Sequence, residues 1–342
     1  MLPDFSATQY TLPQIMMTLS SMAYLPPGDI RSYLADSHYA TGGEWRLVWG
    51  PVETTGNLMY VVQRNQDNLY AVVIRGTVLS FSLGTLVDLY EDLDVGTQVQ
   101  WTYPYMTGAL VANGTLHGLN VLTTMDSNNL SLLEYLASIP TGGWLFVTGH
   151  SLGGCLATVL APWLQYQLST INPQLSVVTN TFAAPSAGNQ AFADWYTNQA
   201  LRGRSWRYYN SIDIIPRLWS NVPGIKDLFP SPGKSCPFGM RGVIDLINGW
   251  LVDLDEVSYV QPNGAGNPLA GTATPAGWLT EAGHQHDHNY YLTLLGAPTV
   301  PLPGTSASRH VKTRRIIPRP GETAASVPTD GSAGQTTNQG AA

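Results

Sequence analysis

The pattern Gly-x-Ser-x-Gly occurs at positions 149–153, where the sequence reads GHSLG. A serine at its centre can act as a nucleophile when it lies on a sharp turn between a strand and a helix. The flanks fit, because residues 144–147 form an apolar run typical of a strand and residues 155–168 have the composition of a helix. We therefore predict Ser151 as a catalytic nucleophile; the alternative is a glycine-rich turn without chemistry.

A serine nucleophile requires a base that reaches its hydroxyl and an acid that orients the base. His150 adjoins Ser151, but a neighbour on such a turn projects in another direction, so it is not expected to be the base. In proteins built around this turn, the acid and then the histidine follow the serine along the chain. The candidates for the base are therefore His284, His286 and His288, in the sequence HQHDHNYY.

The leading candidate for the acid is Asp213, which lies in a loop after a predicted strand at 206–209. Pro216 ends the strand pattern, and a carboxylate at this point can hold the imidazole in its productive tautomer. The alternative role for Asp213 is to cap a turn. The competing acids lie on predicted helices; they are Asp194, Asp245, Asp253 and Asp255.

The attacked carbonyl oxygen becomes negatively charged in the transition state and needs preorganised donors. The backbone N–H of Leu152, directly after the nucleophile, is expected to be one of them. The three histidines at alternate positions could instead bind a metal ion. Because no other residues complete such a site, we predict neither a metal ion nor another cofactor.

The elements that must position these residues alternate between strands and helices, which predicts a largely parallel sheet covered on both faces. In chain order, the predicted elements outside the serine turn are a helix at 11–24, a hairpin of strands at 58–63 and 69–74, helical periodicity at 117–138, a strand at 175–182, a helix at 190–199 and a strand at 206–209.

Composition narrows the class of protein. Of the 342 residues, 44% are hydrophobic and only 11% are charged, a surface more usual in exported enzymes. The net charge of −7 gives no reason to expect nucleic-acid binding. No apolar run reaches the ~18 residues that a membrane helix needs. The N-terminus does not have the pattern of a signal peptide, so secretion is compatible with the composition but the compartment stays open.

The amino-acid composition of the chain changes near residue 304. We predict that residues 1–303 form a catalytic domain and that residues 304–342, rich in Gly, Ser, Thr, Ala and Pro, form a disordered low-complexity tail. The tail carries five basic and two acidic residues, a net charge of +3. Its basic cluster is either an interaction patch or a plain solvated segment.

Five segments of the sequence resemble those of the class 3 lipase family, in the family's order. They are AVVIRGT at 71–77, similar to a strand ending in FRGS or FRGT; LHGL at 116–119, similar to VHxGF; VTGHSLGG at 147–154, nearly the commonest family sequence around the serine; TFAAPSAGN at 181–189, similar to TFGAPxxGN; and RYYNSIDIIPRL at 207–218, similar to RxxNxxDxVPxL. The segment at 226–278 and the tail have no obvious counterpart.

The resemblance implies an α/β-hydrolase fold and a serine ester hydrolase that cleaves carboxylic esters of acylglycerols through a Ser-Asp-His triad. It places the acid at Asp213 and a second oxyanion donor, beside Leu152, at Thr77. Alternatives are an esterase for feruloyl esters, thioesters or phospholipids, and a relative that binds lipid without turnover.

The resemblance also bears on the base. Family members carry the histidine either in H-x-x-Y-F or five residues before Tyr-Leu. His286 fits the second form, with Tyr291 and Leu292, and His288 fits the first form loosely. We favour His286, with His288 as the alternative.

Substrate access is expected to involve residues 78–95, which resemble the place of the family's lid. This segment is either a mobile lid that opens at a lipid surface or a fixed surface helix. A second apolar stretch at 243–254 is predicted to form part of a cap. Apolar walls with acidic rims suit a neutral acyl chain, so the expected partner is a lipid or small-molecule ester, with transient contact to a lipid–water interface.

Overall fold

The computed structural model describes residues 3, 5, 8–54, 56–65, 67–77, 82, 85–229, 235–253, 257–264 and 266–303. The predicted tail at 304–342 and most of the first seven residues of the predicted lid lie outside this set.

The described part contains a large central sheet and two small hairpins. The strands are β1 (Trp45–Thr54), β2 (Asn57–Arg64), β3 (Leu69–Ile74), β4 (Gln98–Thr102), β5 (Tyr105–Ala112), β6 (Asp126–Ser127), β7 (Leu130–Ser131), β8 (Gly143–His150), β9 (Leu175–Phe182), β10 (Ser205–Asn210) and β11 (Asn267–Leu269). The central sheet has the order β1-β2-β3-β8-β9-β10-β11. From β3 to β11 neighbouring strands are parallel, whereas β1, β2 and β3 pair antiparallel.

Helices surround this sheet. They are α1 (Leu12–Met22), α2 (Ile30–Ala35), α3 (Thr85–Asp92), α4 (Asn113–Thr123), α5 (Leu132–Ser138), α6 (Leu152–Ile171), α7 (Gln190–Trp195), α8 (Phe238–Asp253), α9 (Trp278–His286) and α10 (His288–Leu295). A π-helical turn follows α7 at Tyr196–Ala200, and 3-10 turns lie at Ile215–Arg217 and Pro223–Ile225.

Each face of the sheet buries an apolar core beneath helices. On one face α4, α5 and α6 pack over side chains such as Val147. On the other face α1, α2 and α10 pack over side chains such as Phe146, the preceding residue of β8. Alternate residues of one strand therefore serve opposite cores, as expected for a strand between two helical layers. The predicted α/β class, with a mostly parallel sheet and helices on both faces, is confirmed.

The helical periodicity predicted at 117–138 does not correspond to one continuous helix. The chain instead forms α4, then the β6–β7 hairpin, then α5. Asn128 and Asn129 have φ values of 56° and 62°, the conformation that a tight hairpin turn requires and that asparagine tolerates. Ser131 then caps α5 by accepting a hydrogen bond from the backbone N–H of Glu134 at 3.3 Å.

The segment at 226–278, which has no counterpart in the family resemblance, contributes to the main architecture. It contains α8 and the short strand β11, which continues the sheet parallel to β10. The apolar stretch predicted at 243–254 lies in α8 from residue 243 to the end of the helix at 253. The segment therefore extends the central sheet by one strand and adds α8, whose buried side chains belong to an apolar cluster with α3 and α9.

Candidate active site

Ser151 lies between the end of β8 and the start of α6, where the sequence predicts the sharp turn. Its φ and ψ are 61° and −129°, a strained conformation for a residue with a side chain. Its backbone N–H donates to the carbonyl oxygen of Phe182 in β9 at 2.9 Å, which fixes the turn against the sheet. Gly153 must be glycine here, because a Cβ would collide with the carbonyl oxygen of Ile74 at the end of β3.

His286 connects the serine to the acid. Its Nε2 lies 2.8 Å from Oγ of Ser151, and its Nδ1 lies 2.8 Å from Oδ2 of Asp213. The three side chains are almost completely buried, with exposed fractions of 2%, 4% and 1% for the serine, the histidine and the aspartate. These distances match those of a base that can take the proton of the serine while a carboxylate holds its ring.

The carboxylate of Asp213 has two further hydrogen bonds. Oδ1 accepts from the backbone N–H of Ile215 at 2.9 Å, and Oδ2 accepts from the hydroxyl of Tyr291 at 2.8 Å. That hydroxyl also accepts from the backbone N–H of Asn210 at 2.8 Å. Burial and the charge of Asp213 raise the pKa of Tyr291 well above its usual value, so the phenol keeps the proton that it donates.

Tyr291 is a site residue that sequence reasoning used only as part of a motif. Its spacing from His286 is visible in the sequence, but its contact with the acid depends on how α10 packs against the end of β10. No local pattern indicates this contact.

The predicted oxyanion donors lie on the two sides of the serine turn. Leu152 is the first residue of α6, at the end of the helix where backbone N–H groups lack intrahelical partners. Thr77 follows Gly76, and a Cβ on this glycine would come within 3.0 Å of Cβ of Ser151. The loop after β3 therefore passes directly beside the nucleophile.

Residues 71–222 match the family model Lipase (class 3). The matched segment holds the serine turn, the loop of the acid and the loop of Thr77. Residues 71–222 of this chain belong to the class 3 lipase family. The family predicted from the five sequence segments is therefore confirmed.

Two curated relatives share shorter segments with this class 3 lipase domain. One is a lipase of Caenorhabditis elegans, 38% identical over 89 residues, which covers 26% of this chain and 23% of that protein. The other is the secreted mono- and diacylglycerol lipase 1 of Fusarium solani, 31% identical over 142 residues, which covers 36% of this chain and 39% of that protein. The matches thus span less than half the length of these relatives.

The fold similarity extends over almost the whole described domain. The crystal structure of M37 lipase matches with a TM-score of 0.75 and 27% sequence identity. The match covers 84% of this chain and 94% of that chain. The similarity of fold to M37 lipase therefore extends beyond residues 71–222.

The other two histidines of the sequence HQHDHNYY lie apart from the serine. The ring of His288 stacks on Tyr24, with centroids 4.8 Å apart and an interplanar angle of 7°. The ring of His284 lies against Tyr290, 4.3 Å away. Of the three, the structure thus brings His286 to Ser151 and Asp213.

His150 packs beside the base rather than serving as one. Its Nδ1 lies 2.9 Å from the hydroxyl of Tyr24, and its ring centroid lies 4.8 Å from that of His286. Burial lowers the pKa of His150 well below its usual value, with further contributions from His286 and His288. Burial also lowers the pKa of His288. Both rings are therefore neutral near pH 7.

The competing acids have other partners or lie elsewhere. Asp194 accepts a hydrogen bond from Gln190 at 2.8 Å on α7, and Asp245 pairs with Lys226. The side chain of Asp253 and all of Asp255 lie outside the described residues. Within the described ranges, no group of three or more His, Cys, Asp or Glu residues is arranged to hold a metal ion.

An apolar cluster lies next to the nucleophile; we call it the apolar cover. It is formed by α3, α8, α9 and residues 214–229, and Leu152 packs against it. The buried face of α3 contains Leu86 and Leu89, and Tyr90 lies 5.0 Å from the ring of Trp250 in α8. In this conformation α3 is thus packed against α8. Whether it moves as a lid stays a prediction.

The outer face of α8 is partly apolar as well. Phe238 at its start is 94% exposed and Leu246, two turns later, is 48% exposed. Within the described part of the chain, none of the helices combines the length and apolar character needed to cross a bilayer.

Proposed function

We propose that this chain is a serine ester hydrolase that cleaves carboxylic esters of the acylglycerol type through an acyl-enzyme. The observation that carries the proposal is the position of His286, which is 2.8 Å from both Ser151 Oγ and Asp213 Oδ2. The fit of residues 71–222 to the class 3 lipases supports it.

In the proposed reaction, His286 takes the proton of Ser151 as Oγ attacks the ester carbonyl. The backbone N–H groups of Leu152 and Thr77 stabilise the oxyanion of the tetrahedral intermediate. His286 then gives its proton to the departing alcohol, and the acyl-enzyme remains. The same ring deprotonates a water that attacks the acyl carbon, and the serine leaves with that proton. No step requires a cofactor.

Asp213 has a defined part in this scheme. Its carboxylate accepts from Nδ1 of His286, which leaves Nε2 of the neutral ring free of a proton and directed to the serine. The imidazolium that forms in each half-reaction is stabilised by the same contact. The hydroxyl of Tyr291 and the N–H of Ile215 hold the carboxylate in the required orientation.

Lipid esters are the proposed substrates because the surroundings of the nucleophile are apolar. The apolar cover adjoins Leu152, and α8 exposes Phe238 and Leu246 at its outer face. The names of the Fusarium solani relative and of M37 lipase point to the same substrate class. We further propose transient binding of the outer face of α8 to a lipid–water interface, and a catalytic domain that spans residues 1–303.

The decisive experiment measures hydrolysis of p-nitrophenyl esters by wild type and Ser151→Ala. We expect kcat to fall by up to about 10⁶-fold, because the nucleophile of such a triad acts as a unit with its base. Equal rates for the two proteins would reject the proposal. A series of esters from acetate to long acyl chains, with and without an emulsion, then separates lipid esters from feruloyl esters or thioesters.

A second pair of variants tests the base. His286→Ala is expected to lose activity almost as completely as Ser151→Ala, whereas His288→Ala retains the triad and most of kcat. If His286→Ala kept its activity while His288→Ala lost it, the assignment of the base would be wrong.

A further inference from the structure

A line of polar side chains runs through the protein interior behind the triad; we call it the polar network. It consists of Glu281 and Gln285 on α9 and Asn210 at the end of β10. The exposed fraction of each of the three residues is 0%. The proposed chemistry does not use them, yet buried polar groups at this density are costly unless they are fully hydrogen-bonded.

Glu281 forms the distal end of the polar network. Its carboxylate accepts from the backbone N–H of Thr274 at 3.0 and 3.1 Å and from the hydroxyl of Thr274 at 2.5 Å. It also accepts from Nε2 of Gln285 at 2.7 Å, one helical turn along α9. All of these partners donate to the carboxylate.

Gln285 carries the network to the sheet. Its Nε2 also donates to the carbonyl oxygen of Thr272 at 2.9 Å. Its Oε1 accepts from Nδ2 of Asn210 at 2.6 Å, and its backbone carbonyl accepts from the same Nδ2 at 2.9 Å. Because Gln285 immediately precedes His286, these bonds fix the end of α9 that carries the base.

Asn210 connects the base to the acid. Its side chain holds the backbone of Gln285, next to His286, while its backbone N–H holds the hydroxyl of Tyr291, which donates to Asp213. Its backbone carbonyl also accepts from the N–H of Asp213 at 3.0 Å. Asn210 thus contacts the residue before the base on one side, and Asp213 and its partner Tyr291 on the other.

The direction of the hydrogen bonds in the network is fixed by Glu281 together with backbone groups. Glu281 accepts in these hydrogen bonds and the carbonyl oxygen of Thr272 can only accept, so Gln285 turns its NH₂ group toward both and its carbonyl oxygen toward Asn210. Asn210 must then present Nδ2 to Gln285 and Oδ1 to the backbone N–H of Ile212, which lies 3.2 Å away. Neither amide can therefore flip without loss of hydrogen bonds.

We propose that Glu281, Gln285 and Asn210 are positioning residues that set the geometry between His286 and Asp213. Glu281 acts through the two amides, and Asn210 acts through Gln285 on one side and Tyr291 on the other. This inference rests on the proposed function, because it concerns the same base and acid. It predicts that changes in the network lower kcat and leave KM nearly unchanged.

The test exchanges donor and acceptor without changing size. In Glu281→Gln the new NH₂ group faces the N–H of Thr274 in one orientation and the NH₂ group of Gln285 in the other, so a donor faces a donor in either case. In Gln285→Glu two carboxylates face each other. We expect each single variant to lose about 10- to 100-fold in kcat, the range for a misplacement of up to 1 Å, with KM within about twofold.

The double variant Glu281→Gln/Gln285→Glu provides the rescue. Its NH₂ group at 281 can donate to the carboxylate at 285, which still accepts from Asn210. The bond from residue 285 to Thr272 and one of the two bonds from the N–H of Thr274 are lost, while Thr274 still donates to the remaining oxygen of residue 281. We expect at least a threefold recovery of kcat over either single variant. Wild-type kcat in Glu281→Gln, or a double variant no better than its worse parent, would overturn the inference.

Two controls separate positioning from loss of stability. Leu168→Ala, in the core cluster of α6, is expected to lower the melting temperature while retaining kcat. Asn210→Asp replaces only the donating NH₂ group by an oxygen; it should lose kcat as the single variants do and serves if those fail to fold.

A second readout does not depend on turnover. The NMR signal of the Nδ1 proton of His286, assigned by its absence in His286→Ala, should shift in Glu281→Gln and remain in place in Leu168→Ala. If wild type showed no Ser151-dependent hydrolysis, the proposed function would fail and this signal would still decide the inference: an unchanged signal in Glu281→Gln rejects it.

Discussion

Removal of one oxygen atom, in Tyr291→Phe, tests how the acid is held. The hydroxyl of Tyr291 donates to Oδ2 of Asp213 and accepts from the backbone N–H of Asn210, each at 2.8 Å. All three residues are at most 1% exposed, so water cannot readily replace the lost oxygen. The ring itself fits as before, because phenylalanine fills the same space.

The magnitude follows from the two lost hydrogen bonds. A hydrogen bond to a charged group contributes ~1.5–3 kcal/mol, and a buried N–H without a partner costs ~1–3 kcal/mol. We expect a loss of about 3 kcal/mol in the free energy of unfolding, or about 6 °C in Tm for a domain of this size. We also expect kcat to fall about tenfold, because Oδ2 of Asp213 then has His286 as its remaining partner and the carboxylate is oriented less strictly.

The matched control is Tyr60→Phe. Its hydroxyl donates to the carbonyl oxygen of Leu19 at 2.6 Å, in the core beneath α1 and away from Asp213. This change removes one neutral hydrogen bond, worth ~1 kcal/mol, and should leave kcat within about twofold. Thermal denaturation and ester hydrolysis are measured on both variants. If Tyr291→Phe lost no more stability than Tyr60→Phe and kept wild-type kcat, the account of Asp213 would be refuted.

Three further predictions concern the turn, the histidines and the outer surface. Gly153→Ala should abolish activity and lower Tm, because its Cβ collides with the end of β3, whereas Gly242→Ala, with open space around it, should be neutral or slightly stabilising. Burial lowers the pKa of His150 and His288 below the ordinary 6.5. Because the unfolded chain then binds more protons than the folded one, the free energy of unfolding is highest above pH 6.5 and decreases as the pH falls below it. For each ring, the free energy of unfolding changes by up to ~1.4 kcal/mol per pH unit. In Tm measurements from pH 8 to 5, His288→Gln should therefore depend less on pH than wild type; an unchanged dependence would contradict this prediction. Phe238→Ser should reduce hydrolysis of an emulsified ester and leave that of a soluble short ester unchanged; equal losses on both would argue against interface binding.

Much of the fold could be predicted from the sequence because its signals are local. The apolar run before Ser151 and the helix after it are continuous in the chain, and so are the strands of the β2–β3 hairpin. β1 was not predicted, because Gly50 and Pro51 interrupt its run of strand-forming residues. β11 escaped because it has only three residues, Asn267–Leu269, and one of them is proline.

Local sequence patterns could not decide between His286 and His288 as the base. Both lie at a similar distance from Tyr291, and spacing alone cannot separate them. In the structure Asp287, with an extended ψ of 131°, divides α9 from α10. His286 ends the first helix and reaches Ser151, while His288 begins the second and meets Tyr24. Only the packing of two short helices determines which ring becomes the partner of the serine.

The polar network was missed for a related reason. Glu281 and Gln285 are separated by one helical turn, a spacing that is ordinary on an exposed helix face. Their burial depends on the segment that contains Thr272 and Thr274, which has no regular structure of its own. Asn210 was recognised as part of a motif, but a motif does not reveal which groups an amide contacts.

The contact between the first and last helices of the domain has a consequence for biosynthesis. Nε2 of Gln14 in α1 donates to the carbonyl oxygen of Leu295 at the end of α10, and α10 carries Tyr291. A nascent polypeptide that has emerged only through the 3-10 turn at Pro223–Ile225 would contain the serine turn and the acid loop but neither the base nor the contact between α1 and α10. Ester hydrolysis would therefore begin only once the ribosome has released nearly the whole domain, and the onset of activity during translation would time the last folding event.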